Sequence, residues 1–511
     1  MPLRQIFIVA ISLLLTFGGG ADRLCGQYKT KKQHISPTLI IDQSDLIYDL
    51  LESFDLVRKA NDGDPRAQHE LGVRYFVGRG FQADTVKAFV WISRAAARDF
   101  LRAHYNLGVF YNNGWGTPWD PFQGYRHFRA AAERNMPEAE YTVALILTED
   151  LVVPRDLDEA ERWLTKASDQ GLEPAKAALR ELQEQRREQE RAQRSDSAAA
   201  SSLGLQDSTG FKIPSYMFLE EQSDSLSDVE SPENLERLFH DRGPQLMKAL
   251  GIPEEAIDTT KRGPPPEQLI QKTANLGSPE ARILLGRCHE LGRGCPQDHL
   301  RAAIHYLGAV RLDSPKAARL LWELTKDSDI ISLSSERAKT GDNDARFVLS
   351  GLAALRLNVP ITDEQSAQLL EQASQQDHLE SLLELGARYS SGRTVSQDRD
   401  KAIQLWQRAA ALGSREADVR LVAAKIFGTS AEDPSGLLKE LFAYASEGSS
   451  LAEAALAYCY ESGFGVPSNT AEAVRHYRRA AGRGSETAYL ALRRLYDEIR
   501  PNDPEFQIDE F

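Results

Sequence analysis

Apolar and small residues recur along this chain at helical spacing, and the pattern restarts about every 36 residues. Ala67, Leu71 and Tyr75 fall four apart, on one face of a predicted helix. Gly78 and Gly80 follow, residues that accept the positive φ of a sharp return, and Asp84 stands where the cap of a second helix belongs. Ala88, Trp91 and Ala95 supply the stripe of that second helix. The next copy reads Ala103, Leu107, Gly108, Tyr111, Gly114, Gly116, Asp120, Ala131 and Ala132, and a third begins at Ala139. The pattern then lapses for about a hundred residues and returns at Ala281, with clear copies around Leu385 and Leu456 and degenerate ones near Ala317, Ala345 and Ala417. Each helix pair leaves an apolar side that only the next copy covers, so stacking is obligatory. The predicted fold is all-α: an α/α superhelical solenoid of helix-turn-helix repeats in two arrays.

The stretches around the arrays read differently. Residues 37–60 carry Leu39, Ile40, Leu46, Leu50 and Phe54 and predict an amphipathic helix that caps the first array. Residues 181–195 are almost entirely charged or amide and read as a solvated helix closing it, so the first array spans 37–195. A Ser-rich, then acidic linker occupies 196–234, interrupted by an apolar island from Phe211 to Leu219. A short helical connector covers 235–266, the second array 267–500, and a tail 501–511.

The string A-x3-LG-x2-Y-x2-G-x-G-x3-D-x3-A-x6-AA is similar to the Sel-1-like repeat (SLR), a relative of the tetratricopeptide repeat, over about 67–180 and 281–500. The resemblance implies an adaptor that binds other proteins or peptides on its concave surface and loops, with no cofactor and no catalytic chemistry of its own. A second reading is a regulatory or substrate-recruiting subunit of an envelope enzyme or export complex.

Charge and motifs narrow this further. Lys and Arg number 61 against 75 Asp and Glu, a net charge of −14, and no basic patch offsets it, so nucleic acid is excluded as an expected partner. No phosphate-binding loop, HExxH or GxSxG motif occurs. Arg4, the apolar run from Ile6 to Phe17 and the small residues up to Ala21 predict a secretory signal over 1–21 and a mature chain starting near Asp22. No transmembrane segment is expected beyond it. Export to a bacterial periplasm or the medium is the expectation, with a secretory-pathway lumen or an uncleaved signal anchor as alternatives; no Asn-x-Ser/Thr occurs. Cys25, Cys288, Cys295 and Cys459 are the only cysteines. Cys288 and Cys295 rank first as a disulfide, then as buried thiols, and last as metal ligands, since the spacing fits no zinc pattern.

Candidate contact residues sit where a turn departs from what the fold requires. Arg79, Trp115, Arg293 and Phe464 lie between the paired glycines of a turn, with Arg393 in the matching place of a degenerate copy, and are expected to point outward. Trp115 and Trp119 are the favoured pair, since Trp and Arg dominate binding hot spots, although Trp119 has the alternative of folding onto its own repeat. Tyr105 and Tyr141 share the column of His69 and are placed on the concave face. His127, His305 and His476 replace Trp91 and Trp163 in another column and read as packing residues.

Overall fold

The computed structural model describes residues 50–184, 186–187, 266–428 and 434–508. The expected signal over 1–21, Cys25, the start of the capping helix, the linker 196–234 with its apolar island, and the connector up to residue 265 lie outside the described residues. Among the described residues the chain is built from α-helices and one short 3-10 turn, without a strand. The helices follow in antiparallel pairs, the solenoid of helix-turn-helix repeats that the sequence pattern predicts.

The repeat columns carry the construction. Pro65–Val77 ends at Gly78 in the left-handed region (φ 75°), and Leu101–Asn113, Pro279–Leu291, Leu379–Ser391 and Ser450–Ser462 end the same way at Gly114, Gly292, Gly392 and Gly463. These positions need a residue without Cβ strain. The carboxylate at the next column caps the partner helix: Asp84, Asp120, Asp156, Asp298 and Asp398 each accept a backbone N–H of the first turn. Such caps stabilise a helix by about 1 kcal/mol each. Ser278, Ser314, Ser414 and Ser449 cap first helices of the second array in the same manner.

Packing within a pair rests on one close approach and one stacked ring pair. The glycine after the conserved-spacing leucine lies under a bulky residue of the second helix: a Cβ on Gly108 would stand 2.7 Å from the Phe128 ring, and one on Gly72 2.6 Å from Ile92. One column earlier, imidazoles stack flat on the end of the first helix. His127 lies 5.7 Å from Tyr111, His305 5.6 Å from His289 and His476 5.4 Å from Tyr460, with interplanar angles of 5–10°.

The described residues form two compact units, one of residues 50–187 together with 493–508 and the other of residues 266–492. The second array was expected to run to 500 with a separate tail after it. Instead, residues from Arg493 onward pack with the first array, because Tyr496 and Phe506 bury their rings there, 1% and 0% exposed.

The second array also returns on itself. The Asn275 amide donates to the Gly413 carbonyl at 3.2 Å, and the Ser450 hydroxyl donates to the Gly277 carbonyl at 3.1 Å. Thr487 donates its backbone N–H to Asp313 at 2.6 Å. Residues well over a hundred positions apart thus meet across the inside of this array.

Candidate protein-interaction site

The turn residues singled out above divide by what surrounds them. Arg79 and Arg293 are exposed. Trp115 is half-buried rather than projecting: its ring centroid is 4.7 Å from that of Phe76 and 5.9 Å from that of Phe110. The cause is Gly116, whose α-carbon lies so near the Thr85 carbonyl of the preceding unit that no Cβ fits, which presses the turn onto the array. Phe464 is likewise half-buried, 6.0 Å from Phe427 and 5.8 Å from Tyr458. Arg393 is half-buried, its backbone N–H donating to the Ser391 hydroxyl. Tyr105 and Tyr141 are only 5% and 6% exposed; the Tyr105 ring sits 5.4 Å from Phe128, so these rings pack between helices instead of lining an open face. Cys288 and Cys295 are joined in a disulfide with Cα atoms 5.9 Å apart, and Cys459 is a buried free thiol.

Trp119 leads to an arrangement that the repeat pattern did not reveal. Its half-buried ring meets the edge of Tyr496, 5.0 Å away at 85°. The next residue, Asp120, caps helix Pro121–Ala132, with Pro121 at its first position. Phe122, Tyr125 and Arg126 then share one face of this helix, as a spacing of three and four requires. Against that face lies the segment after the last repeat. The Phe506 ring is fully buried, 5.1 Å from Phe122 and 6.1 Å from Tyr125, both edge-on. The Arg126 guanidinium lies 5.0 Å over the Phe506 ring, pairs with Glu505 at 3.2 Å and also with Asp503. Its charge is thus used twice, over an aromatic face and between two carboxylates.

Arg500 fixes the other end of the segment. It donates to the Leu151 carbonyl at 2.9 Å and the Val152 carbonyl at 3.2 Å, and its guanidinium lies over Phe122. It also donates to the Phe506 carbonyl at 2.8 Å, folding the segment around itself. Burial pushes the Asp150 carboxyl above its ordinary range, an effect that the Arg155 N–H and the charges of Arg493, Arg155 and Arg500 oppose. The residues of this site that sequence reading missed are Phe122, Tyr125, Arg126, Arg500 and Phe506. The available signal was the run Asp503-Pro504-Glu505-Phe506, an aromatic residue among carboxylates just beyond the last repeat.

The second array presents a different case, an inner face on which three buried guanidiniums and two carboxylates pair with one another. Glu416, fully buried, accepts from Arg311 at 3.0 Å, Arg282 at 3.1 Å and Arg420 at 2.9 Å. Glu380 accepts from Arg282 at 3.0 Å and Arg311 at 2.7 Å. Burial alone would raise both carboxyls. The guanidiniums outweigh it, holding Glu380 down to about 2 and Glu416 lower still. Such a set is a closed ionic core. Among the described residues no group of three His, Cys, Asp or Glu is placed to hold a metal ion, and no helix is long and apolar enough to cross a membrane.

Comparison with known proteins agrees with this construction. The Sel1 repeat matches six times, at residues 65–100, 101–136, 137–172, 279–314, 379–414 and 450–485. A stretch of 109 residues is 35% identical to DAP3-binding cell death enhancer 1 of Mus musculus and 34% identical to the protein of the same name from Rattus norvegicus; the match spans 21% of this chain and 21% of each relative. The chain therefore matches about a fifth of the length of these curated relatives. Among solved structures, a protective antigen of uropathogenic Escherichia coli displaying an SLR fold is 21% identical, with 87% of this chain and 82% of that chain covered at a TM-score of 0.27. A Sel1 repeat protein from Oxalobacter formigenes is 32% identical over 25% of this chain and 97% of its own, at a TM-score of 0.24. With six such repeats stacked as helix pairs, the chain is a Sel1-repeat protein, an all-helical solenoid of the kind that serves as a protein-interaction scaffold.

Proposed function

We propose that this chain is an exported, non-catalytic adaptor whose first array holds an extended segment of a partner protein. One observation carries the reading. Helix Pro121–Ala132 already holds a stretch of irregular chain by a buried aromatic ring, a cation over that ring and paired carboxylates, the means by which an interaction surface grips a peptide. Inside the second array the buried charges from Arg282 to Arg420 pair with one another, which favours the first array as the place for the partner segment.

Tagged full-length chain, crosslinked in cells of the source organism and purified beside its Arg126→Glu variant, tests the reading. A protein recovered in stoichiometric amount with the native chain and lost with the variant supports it; no protein enriched by either chain sinks it. Export belongs to the same proposal and rests on Arg4, the apolar run Ile6 to Phe17 and the small residues before Asp22. Mass spectrometry of the recovered chain should show a new N-terminus near Asp22, and an intact N-terminus on cytoplasmic chain would overturn that part.

A further inference from the structure

We infer that the Phe122, Tyr125 and Arg126 surface recognises partner segments in which an aromatic residue follows closely spaced carboxylates, and that Asp503-Pro504-Glu505-Phe506 of this chain is its resident competitor. This deepens the adaptor reading and rests on it, naming the chemistry of the partner segment and the group that it must displace.

Three features separate a recognised segment from an ordinary part of the fold. First, the turn closes mainly on itself: the Phe506 N–H donates to the Asp503 carbonyl at 3.0 Å and the Gln507 N–H to the Pro504 carbonyl at 3.3 Å. The array grips it through side chains, with Arg500 supplying the bonds to the Leu151 and Val152 carbonyls. Second, its polar contacts are exposed: Arg126 is 38% accessible, Asp503 54% and Glu505 42%. Exposed pairs of this kind add little stability, yet they select which sequence is accepted. Third, Pro501 restricts the chain and Pro504 stands at the first position of the 3-10 turn Pro504–Phe506, where its fixed φ presets the bend, so a short peptide of this sequence loses little freedom on binding. One anchored ring with weak surroundings is a contact that a partner with the same chemistry displaces.

The test uses full-length chain and a fluorescein-labelled peptide of residues 499–508, read by fluorescence anisotropy. Two variants vacate the surface by different means: Phe506→Ala removes the anchor, and Asp503→Lys/Glu505→Lys reverses the charges without leaving a cavity. Both are expected to bind the peptide on the order of tenfold more tightly than the native chain, whose tethered segment competes at a high effective concentration. Peptide with Ala for Phe506 should not bind, and Arg126→Glu in either background should weaken binding on the order of tenfold, with the native peptide's affinity falling as salt rises. Absence of peptide binding to both variants, each with helical circular dichroism like the native chain, overturns the inference. If a partner is still captured in cells under that result, the adaptor reading stands and only the assigned chemistry fails.

Discussion

Glu416 is the residue on which the second array's interior depends most, and replacing it with Gln isolates charge from shape. Its two oxygens accept five hydrogen bonds from three guanidiniums at 2.9–3.1 Å, and none of the four residues is more than 6% exposed at its side chain. After Glu416→Gln, three buried cations remain with Glu380 as the carboxylate partner of two of them. Removing one member of a buried ionic set costs about 3–5 kcal/mol, because the charges left behind lose compensation that water cannot reach. For a unit of this size that corresponds to a fall in melting temperature of roughly 6–20 °C.

Urea unfolding of the full chain by circular dichroism measures the loss, and hydrogen exchange over Pro279–Leu291 and Arg415–Phe427 assigns it to this array. The exposed Glu336→Gln should change stability by less than about 0.5 kcal/mol. Adding Arg420→Met to Glu416→Gln should recover part of the loss, since Arg420 pairs with Glu416 and not with Glu380, so the double variant removes the cation left uncompensated. A Glu416→Gln chain within about 0.5 kcal/mol of native, or a double variant less stable than the single, would refute the reasoning. The sign with pH follows the same charges: a carboxyl depressed in the fold contributes stability above its ordinary value near 4.5, lost as pH falls toward about 2 at Glu380.

Three further outcomes are expected. Burial, with Arg102 added, lowers His69 to about 4, and burial, with His104 added, lowers His127 to about 4. Both are neutral in the fold while the unfolded chain takes up protons, so stability is full above about pH 6.5 and falls by up to about 3 kcal/mol per histidine as pH drops toward 4; melting curves of the first array that stay flat between pH 7 and 4.5 would contradict this. Gly108→Ala should cost about 1–3 kcal/mol in urea unfolding, because its Cβ would stand 2.7 Å from the Phe128 ring, and an unchanged midpoint would remove the stated reason for glycine there. Burial pushes the Cys459 thiol up to about 12, so iodoacetamide should leave it unmodified in the native chain and alkylate it after unfolding, while reducing Cys288–Cys295 should lower stability by about 2–3 kcal/mol.

The fold was legible because each repeat column answers a local need. Gly78 must accept a positive φ, Asp84 must cap a helix, and Gly108 must lie under Phe128; such requirements recur with the period and show in the sequence. The site was legible only at its entrance. Trp119 stood out as an aromatic residue beyond the needs of its turn, but its partner Tyr496 lies far along the chain, and no periodicity links the two. Trp115 illustrates the converse: an outward residue by turn geometry is drawn inward because Gly116 rests on the Thr85 carbonyl, a contact made by stacking rather than by spacing. Arg282, Arg311, Glu380 and Glu416 read as surface charges within their own helices and become core only because the second array returns on itself.

The central claim, that the first array holds a partner segment on the Pro121–Ala132 face, is tested most directly by site-specific photocrosslinking in cells. A benzophenone amino acid would be placed at Gln123 beside the site and, as a control, at the exposed Arg301 of the second array. The account predicts a discrete partner adduct from position 123, lost when excess peptide of residues 499–508 is present, and none from position 301. Adducts from position 301 alone, or a position 123 adduct that the peptide leaves unchanged, would contradict it.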